Sequence, residues 1–430
     1  MIRFSESDEI RSWGGVVREP HKVARPSWCD ELSQAVAVAR EDGLPLLATG
    51  LRRSYGDICL NPDGALLDMT SLDRAIFLDQ ENCILRAEAG ISFDILLKIL
   101  IRQGFFLPVT PGTRFVTLGG AIANDVHGKN HHGAGTLGRW VKRIGLMRSD
   151  GSEIELTPQD NTGLFAATVG GLGLTGVITW AEIELIRVGS AVMDVENIPF
   201  SNLDEFFSIA KESEDSFDYT VSWIDCLAKG KNLGRGLFTR GNHAPKGSRL
   251  PTKSDPKLTM PLNFPGFVLN KLSIGAFNGL YYWNGTRKAG RGKAPIHPFF
   301  YPLDSIAHWY RMYGKHGMYQ YQSAVPPENE RDATKAMLET ISSAGEGSFL
   351  AVLKTFGDKP SPGMLSFPKP GTTLALDFPN RGASTLQLMA RLDAIVREAG
   401  GRLYPAKDGR MSAEMFRLGY PRWETFAQHV

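Results

Sequence analysis

The amino-acid sequence predicts an α+β protein built from more than one domain. Three observations lead there. The chain has 430 residues, 42% apolar and 22% charged, enough for two or three cores. Its texture changes near Gly189: short strands between glycine-rich loops give way to longer alternating helices and strands. No G-x-G-x-x-G joins an early strand to a helix, which disfavours a doubly wound dinucleotide fold.

The elements follow in order. Residues 1–30 read as an arm carrying Ser12–Gly15 (SWGG), and residues 31–42 as a short helix. Pro45–Gly50 is a buried strand by its apolar run, and Arg52–Asp57 (RRSYGD) the turn after it. An Asn-Pro-Asp-Gly turn and three short strands, ALLDMT, AIFLDQ and CILRAEAG, come next. Over Ile91–Gln103, Ile95, Leu96, Ile99 and Leu100 share a helical face, with Gly104 as the C-cap. RIGLMRSD and EIELTP flank Asp150-Gly151, a hairpin signal. Phe165–Val177 is glycine-rich, and WAEIELIRV closes this half as a strand.

Beyond Gly189 the pattern predicts strands at MDVENIPF, YTVSWIDC, MYQYQSAV, SFLAVLKTFG and TLALDFPN. Helices are expected near Leu203–Glu212, Glu328–Ala344 and Ser384–Ala399, with RLYPAKDGR a last strand and turn. Residues 229–257 hold eight basic residues (Lys229, Lys231, Arg235, Arg240, Lys246, Arg249, Lys253, Lys257) against Asp255. The apolar segment Leu258–Trp283 follows, and TRKAGRGK repeats the basic character. The pair reads as a mobile loop region suited to an anionic lipid-like substrate or a membrane surface.

Composition narrows the function. A net charge of +2 gives no general affinity for polyanions, so no nucleic-acid partner is expected. Cys29, Cys59, Cys83 and Cys226 have no metal-like spacing and fit a reduced compartment. The N-terminus lacks an apolar core, so no Sec signal is expected, and the setting reads as cytoplasmic or peripheral on the inner membrane.

The chemistry concentrates in Pro108–Val141, PVTPGTRFVTLGGAIANDVHGKNHHGAGTLGRWV. Seven glycines are threaded among His127, Lys129, His131 and His132. Such a run lets the backbone approach a ligand, and its exposed N–H groups can cradle a phosphate or a flavin edge. Its apolar residues make it a cavity wall rather than a linker. The histidines lack a Cys or acid that would complete a ligand set, so no metal is expected.

GLRRSYGD, the glycine run itself, GGLGLTGVIT, YQYQ, LKTFG, LDFP and GRLYPAKDGRMSAEMF occur in this order over nearly the whole chain. Together they resemble the flavin-dependent oxidative subunits of decaprenylphosphoryl-β-D-ribose 2′-epimerases, of the vanillyl-alcohol-oxidase (para-cresol methylhydroxylase) superfamily. The resemblance implies a two-lobed FAD-binding domain (1–188) and a substrate domain with a large antiparallel sheet flanked by helices (189–400). A C-terminal segment (401–430) would return to the first domain.

It also implies roles. Arg53, Ser54, Tyr55, Gly56 and Asp57 would meet the FAD pyrophosphate and ring, with Thr113, Gly119, Gly120, Ala121, Ile122 and Ala123 opposite. Gly176 and Val177 would line the adenine end, and Tyr404 would pack nearby. His127 and Lys129 would face the reacting end. Lys407 and His127 would be the catalytic residues, with Lys129, Trp223, Arg311, Gln320, Gln322, Lys354 and Lys407 itself on the substrate side. Relatives with covalent flavin often carry His where Tyr55 stands, so non-covalent FAD is expected. The implied reaction oxidises the 2′-hydroxyl of a polyprenyl-phosphate pentose, and a short-chain NAD(P)H-dependent keto-reductase would finish the epimerisation. A soluble sugar or alditol oxidase using O₂ is the rival reading, and a non-catalytic flavin-binding assembly partner the third. Thr373, Ala375 and Phe300 depart from the family's Asn, Cys and Tyr, so the sugar or carrier could differ. The chain also stops at Val430, short of the family's basic tail.

Overall fold

A computed structural model of the chain describes residues 2–248 and 258–430. The expected N-terminal arm is instead a pair of antiparallel strands, Ser5–Arg11 and Arg18–Ala24, with the SWGG turn between them. Charged residues facing solvent masked these strands in the sequence. Arg18–Ala24 and Leu46–Thr49 both pair in parallel with Ala65–Asp68. Helix Asp30–Glu41 makes the crossover that parallel strands require, burying Leu32, Ala35, Val36 and Ala39 at helical spacing.

The second lobe is a five-stranded antiparallel sheet. Its order is Ala75–Asp79, Ile84–Glu88, Val177–Glu184, Val141–Met147 and Glu153–Leu156. Helix Phe93–Leu100 packs on its core through Phe93, Leu96, Leu97 and Leu100. The buried face is thus rotated from the expected one, and Ile95 and Ile99 are half-buried. Gly104 ends this turn at φ 81°, as the sequence predicts.

The third sheet has eight strands. In order they are Gly290–Pro295, Val192–Phe200, Gly236–His243, Tyr219–Ile224, Ala351–Phe356, Gly371–Pro379, Met318–Val325 and Arg402–Leu403. Every pairing in it is antiparallel. Helices Leu203–Ser213, Glu330–Ala344 and Ala383–Glu398 bury Phe206, Met337, Leu338 and Leu392 in the core on one face. The opposite face turns toward the two lobes.

The described part of the basic run is not one continuous loop: a short turn at Gly230–Asn232 leads into strand Gly236–His243, and Lys246 lies in the turn beyond it. Arg240 lies on strand Gly236–His243 and pairs with Glu196 (2.8 Å) and Glu212 (3.1 Å), its side chain 9% exposed. Arg235 is held by Asp225 at 2.8 Å. Arg249, Lys253, Asp255 and Lys257 lie outside the described residues. The apolar segment also gains structure. Leu258–Thr259 pairs with Ile306–Ala307, and helix Lys271–Arg287 starts at a capping box between Asn270 and Ser273. Two prolines and several glycines hid that helix from the sequence reading. No helix among the described residues is long and apolar enough to cross a membrane.

Candidate active site

A cavity of about 940 Å³ is enclosed by the two lobes, the free face of the eight-stranded sheet and the turn after Arg402–Leu403. Its wall includes Arg53, Ser54, Tyr55, Thr113, Gly119, Gly120, Ala121, Ala123, His127, Lys129, Gly176, Gln320, Gln322, Lys354, Tyr404 and Lys407. The sequence patterns therefore converge on one place, although their residues are up to 354 positions apart (407 − 53).

Local hydrogen bonds set the wall. The 52–55 loop is pinned from both ends of the chain: Trp13 N–H donates to Ser54 O at 2.8 Å, and Tyr55 N–H donates to Ala406 O at 2.9 Å. Arg53 donates to Phe115 O and lies 3.9 Å over the Trp13 ring. Thr117 caps helix Leu118–Ala123 through Gly120 N–H. Thr113 donates to Asp304 Oδ1 at 2.8 Å. Gly176 sits at φ +142°, and a Cβ there would lie 2.5 Å from Met147 O.

Six expected residues stand outside the cavity wall. Gly56 abuts the C-terminal turn, where a Cβ would meet Gly409 N at 2.6 Å. Asp57 is exposed beside the same turn. Ile122 and Val177 are buried core residues. Arg311 donates to the carbonyls of Met260 and Pro261, so its guanidinium fixes the apolar segment. The Trp223 indole N–H is taken by Phe349 O at 2.9 Å, leaving only its ring face for contact. Trp223 shares a face with the wall residue Val221 and stands in register with Gln322, three strands away, just beyond the wall residue Val352.

The electrostatics are those of a buried cationic chamber. Burial lowers Lys407 to about 8, with Asp377 opposing the shift. Burial lowers Lys354 to about 7, helped by Lys129 and Lys407. Burial alone lowers Lys129 to about 8. Lys354 Nζ donates to His127 Nδ1 and to Gly128 O, each at 2.8 Å. The other His127 nitrogen is 3.1 Å from the Gln322 side-chain amide. Burial, then Lys354, holds His127 well below the ordinary histidine range, so it stays neutral. The Lys407 ammonium lies 4.3 Å from the Tyr55 ring centre. Burial and Asp377 push the Tyr55 phenol well above its usual value.

Asp377 went unnoticed in the sequence. Burial pushes it up to about 7, against a hydrogen bond from Gln320 at 2.5 Å. Its place opposite Gln320 follows from the strand register, and the alternation in LALDFP was the signal available. Thr373 lies beside Gln322 (3.2 Å), while Ala375 and Phe300 form part of the wall. His132 Nε2 pairs with Phe217 O at 2.8 Å, whereas both His131 nitrogens are buried without a partner among the described residues.

The donor set fits FAD. The consecutive N–H groups of Leu51, Arg52, Arg53 and Ser54 have no protein acceptor among the described residues, and all four residues line the cavity. Arg52 adopts φ 50°, the left-handed kink that turns successive N–H groups toward one anion.

Comparison with known proteins agrees with this geometry. Residues 20–157 match a family model described as an FAD binding domain. Over 428 residues the chain is 38% identical to decaprenylphosphoryl-β-D-ribose oxidase of Mycolicibacterium smegmatis, covering 96% of this chain and 91% of that one. An uncharacterised protein of Streptomyces coelicolor is 32% identical over 79% of this chain and 94% of its own. Mouse L-gulonolactone oxidase is 28% identical over 43% of this chain and 42% of its own. With full-length similarity to the first and the FAD-type cavity in place, the chain belongs to the decaprenylphosphoryl-β-D-ribose oxidase family of FAD-dependent oxidoreductases.

Proposed function

We propose that the enzyme oxidises the 2′-hydroxyl of a polyprenyl-phosphate pentose, decaprenylphosphoryl-ribose or a close variant, to the 2′-keto sugar. The observation that carries this reading is the cavity's polar end. Gln320, Gln322, Lys129, Lys354 and Lys407 share it with one carboxylate behind Gln320. Amides suit a polyhydroxylated sugar, and the cations suit its phosphate. Bound FAD would supply the hydride acceptor for the C2′ hydrogen.

The chain's own residues handle the rest. Lys407, lowered toward neutrality by burial, takes the hydroxyl proton as its free amine. Tyr55 stays neutral beneath it and walls off water. Neutral His127 holds Lys354 and Gln322 in place rather than exchanging protons. The unpaired N–H groups of residues 51–54 would hold the pyrophosphate, with Arg53 beside them and Thr113, Gly119, Gly120, Ala121 and Ala123 across the cavity. Gly176 would lie at the adenine end. A domain divide near residue 189 and a C-terminal segment returning from about 401 suit the Tyr55–Ala406 bond.

The keto product is reactive and needs reduction from the opposite face, so a short-chain NAD(P)H-dependent keto-reductase is the expected partner. Peripheral contact with the inner membrane would bring a lipid-linked substrate within reach. The test is anaerobic mixing of purified protein with polyprenyl-phosphoryl-ribose while following flavin absorbance. Bleaching is expected, and an unchanged spectrum would sink the reading. Steady-state peroxide production distinguishes an oxidase using O₂ from a dehydrogenase with another acceptor.

A further inference from the structure

The register of the eight-stranded sheet joins the polar chamber to an exposed helix. Opposed residues of an antiparallel ladder project to the same face. One such row runs Gln322, Ala375, Val352, Trp223, Leu237 across five strands. It begins at a sugar-type amide beside His127 and turns apolar within one step. Gln322, Ala375 and Val352 are cavity wall, while Trp223 and Leu237 are half-buried beyond it. At the row's far end helix Lys271–Arg287 lies on the same face, since a Cβ on Gly285 would fall 2.2 Å from Leu237.

Aromatic contacts close the path a second time. Trp223 packs on Tyr281 (4.7 Å), Tyr281 stacks on Phe277 (5.8 Å), and Phe277 meets Phe349 edge-on (5.8 Å). Phe349 adjoins Leu350, again cavity wall. The helix leaves Phe277 46%, Leu280 63% and Tyr281 44% exposed. It carries no acid along its length, and Lys271 and Arg287 stand at its ends. A helix that leaves this much apolar side chain in water, at the end of a half-buried strip leading from a chamber, marks a binding surface.

We propose that the strip Ala375–Val352–Trp223–Leu237 and the exposed side of helix Lys271–Arg287 form the subsite for the prenyl chain of the substrate. The proposal rests on the polyprenyl-phosphate reading above and adds where the tail lies. With the sugar at Gln322, the chain follows the sheet row past Trp223, whose capped N–H leaves an apolar ring face, and emerges over Phe277, Leu280 and Tyr281. The tail leads the enzyme to the lipid phase from which its substrate comes.

The test compares two substrates in flavin reduction: ribose phosphate esterified with a farnesyl chain, and the same headgroup with a five-carbon prenyl chain. Wild type should saturate with the farnesyl substrate at a concentration at least about tenfold lower, because more apolar carbon is buried. The double variant Phe277→Ser/Leu280→Ser, at positions already exposed, should erase most of that preference. Its half-saturation for the five-carbon substrate and its flavin spectrum should stay unchanged. Equal half-saturation of wild type for both chains, or equal effects of the variant on both, overturns the tail subsite while leaving the reaction intact. A variant that changes only vesicle binding or sedimentation coefficient makes the face a membrane or self-association surface and also overturns it. If neither substrate bleaches the wild-type flavin, the substrate reading fails and the tail subsite with it.

Discussion

Raising the pH should accelerate substrate-dependent flavin reduction through the free amine of Lys407. An unburied lysine would titrate at 10.5, but burial brings this one to about 8. The neutral fraction is then roughly 1% at pH 6, about a tenth at pH 7 and about half at pH 8, whereas an unperturbed lysine would offer about 0.03% at pH 7. The base is the deprotonated form, so the rate rises with pH. The expected gain between pH 6 and pH 8 is about fiftyfold, levelling off above pH 8. Asp377 opposes the fall in Lys407, so Asp377→Asn should move the inflection to lower pH. Lys129 and Lys354 titrate in the same range. The assignment therefore depends on Lys407→Ala, which should bind FAD, lose about 10²–10⁴-fold in rate and lose the inflection. Anaerobic stopped-flow absorbance across pH 5.5–9 measures all three proteins. A pH-independent wild-type rate, or an inflection that survives in Lys407→Ala, would refute the reasoning.

Three other outcomes follow. Acid or heat denaturation should release FAD into the supernatant, because Tyr55 cannot form a histidyl link to it; flavin that precipitates with the polypeptide would contradict this. Arg240→Ala should lower stability by about 2 kcal/mol in urea unfolding, since buried Arg240 bridges Glu196 and the more exposed Glu212. Gly56→Ala should weaken FAD retention, measured as flavin lost on dialysis, because its Cβ would push against the backbone of Gly409.

Much of the site was legible in order along the chain. Parts of the glycine run, residues 52–55 of the RRSYGD loop and both glutamines of YQYQ line the cavity, because glycine density and strand alternation are local signals. Trp223, Arg311, Gly56 and Asp57 lie outside the cavity wall because their positions depend on what the next element offers: Phe349 O takes one donor, the carbonyls of Met260 and Pro261 take another, and Gly56 and Asp57 sit against the turn at Gly409. Alternation in LALDFP sets Asp377 on the face away from Leu374, Leu376 and Phe378, but its pairing with Gln320 emerges only from the register of the partner strand. The helix Lys271–Arg287 escaped notice because its glycines argue against it, while the Asn270 capping box and the Gly285 contact with Leu237 favour it.

The 52–55 loop is tied to Trp13 on one side and Ala406 on the other. The second bond spans 351 positions (406 − 55), so the segment that clamps the loop is synthesised long after the loop itself. A growing chain can close both lobes, with their own cores, while the chamber still lacks its fourth wall. Before Tyr404 emerges, the free N–H groups of residues 51–54 are present but unclamped. Cofactor capture is thereby coupled to completion of the fold. Chains arrested short of residue 404 should stay colourless, and the yellow fraction of a preparation should count finished molecules, with bound flavin stabilising only those.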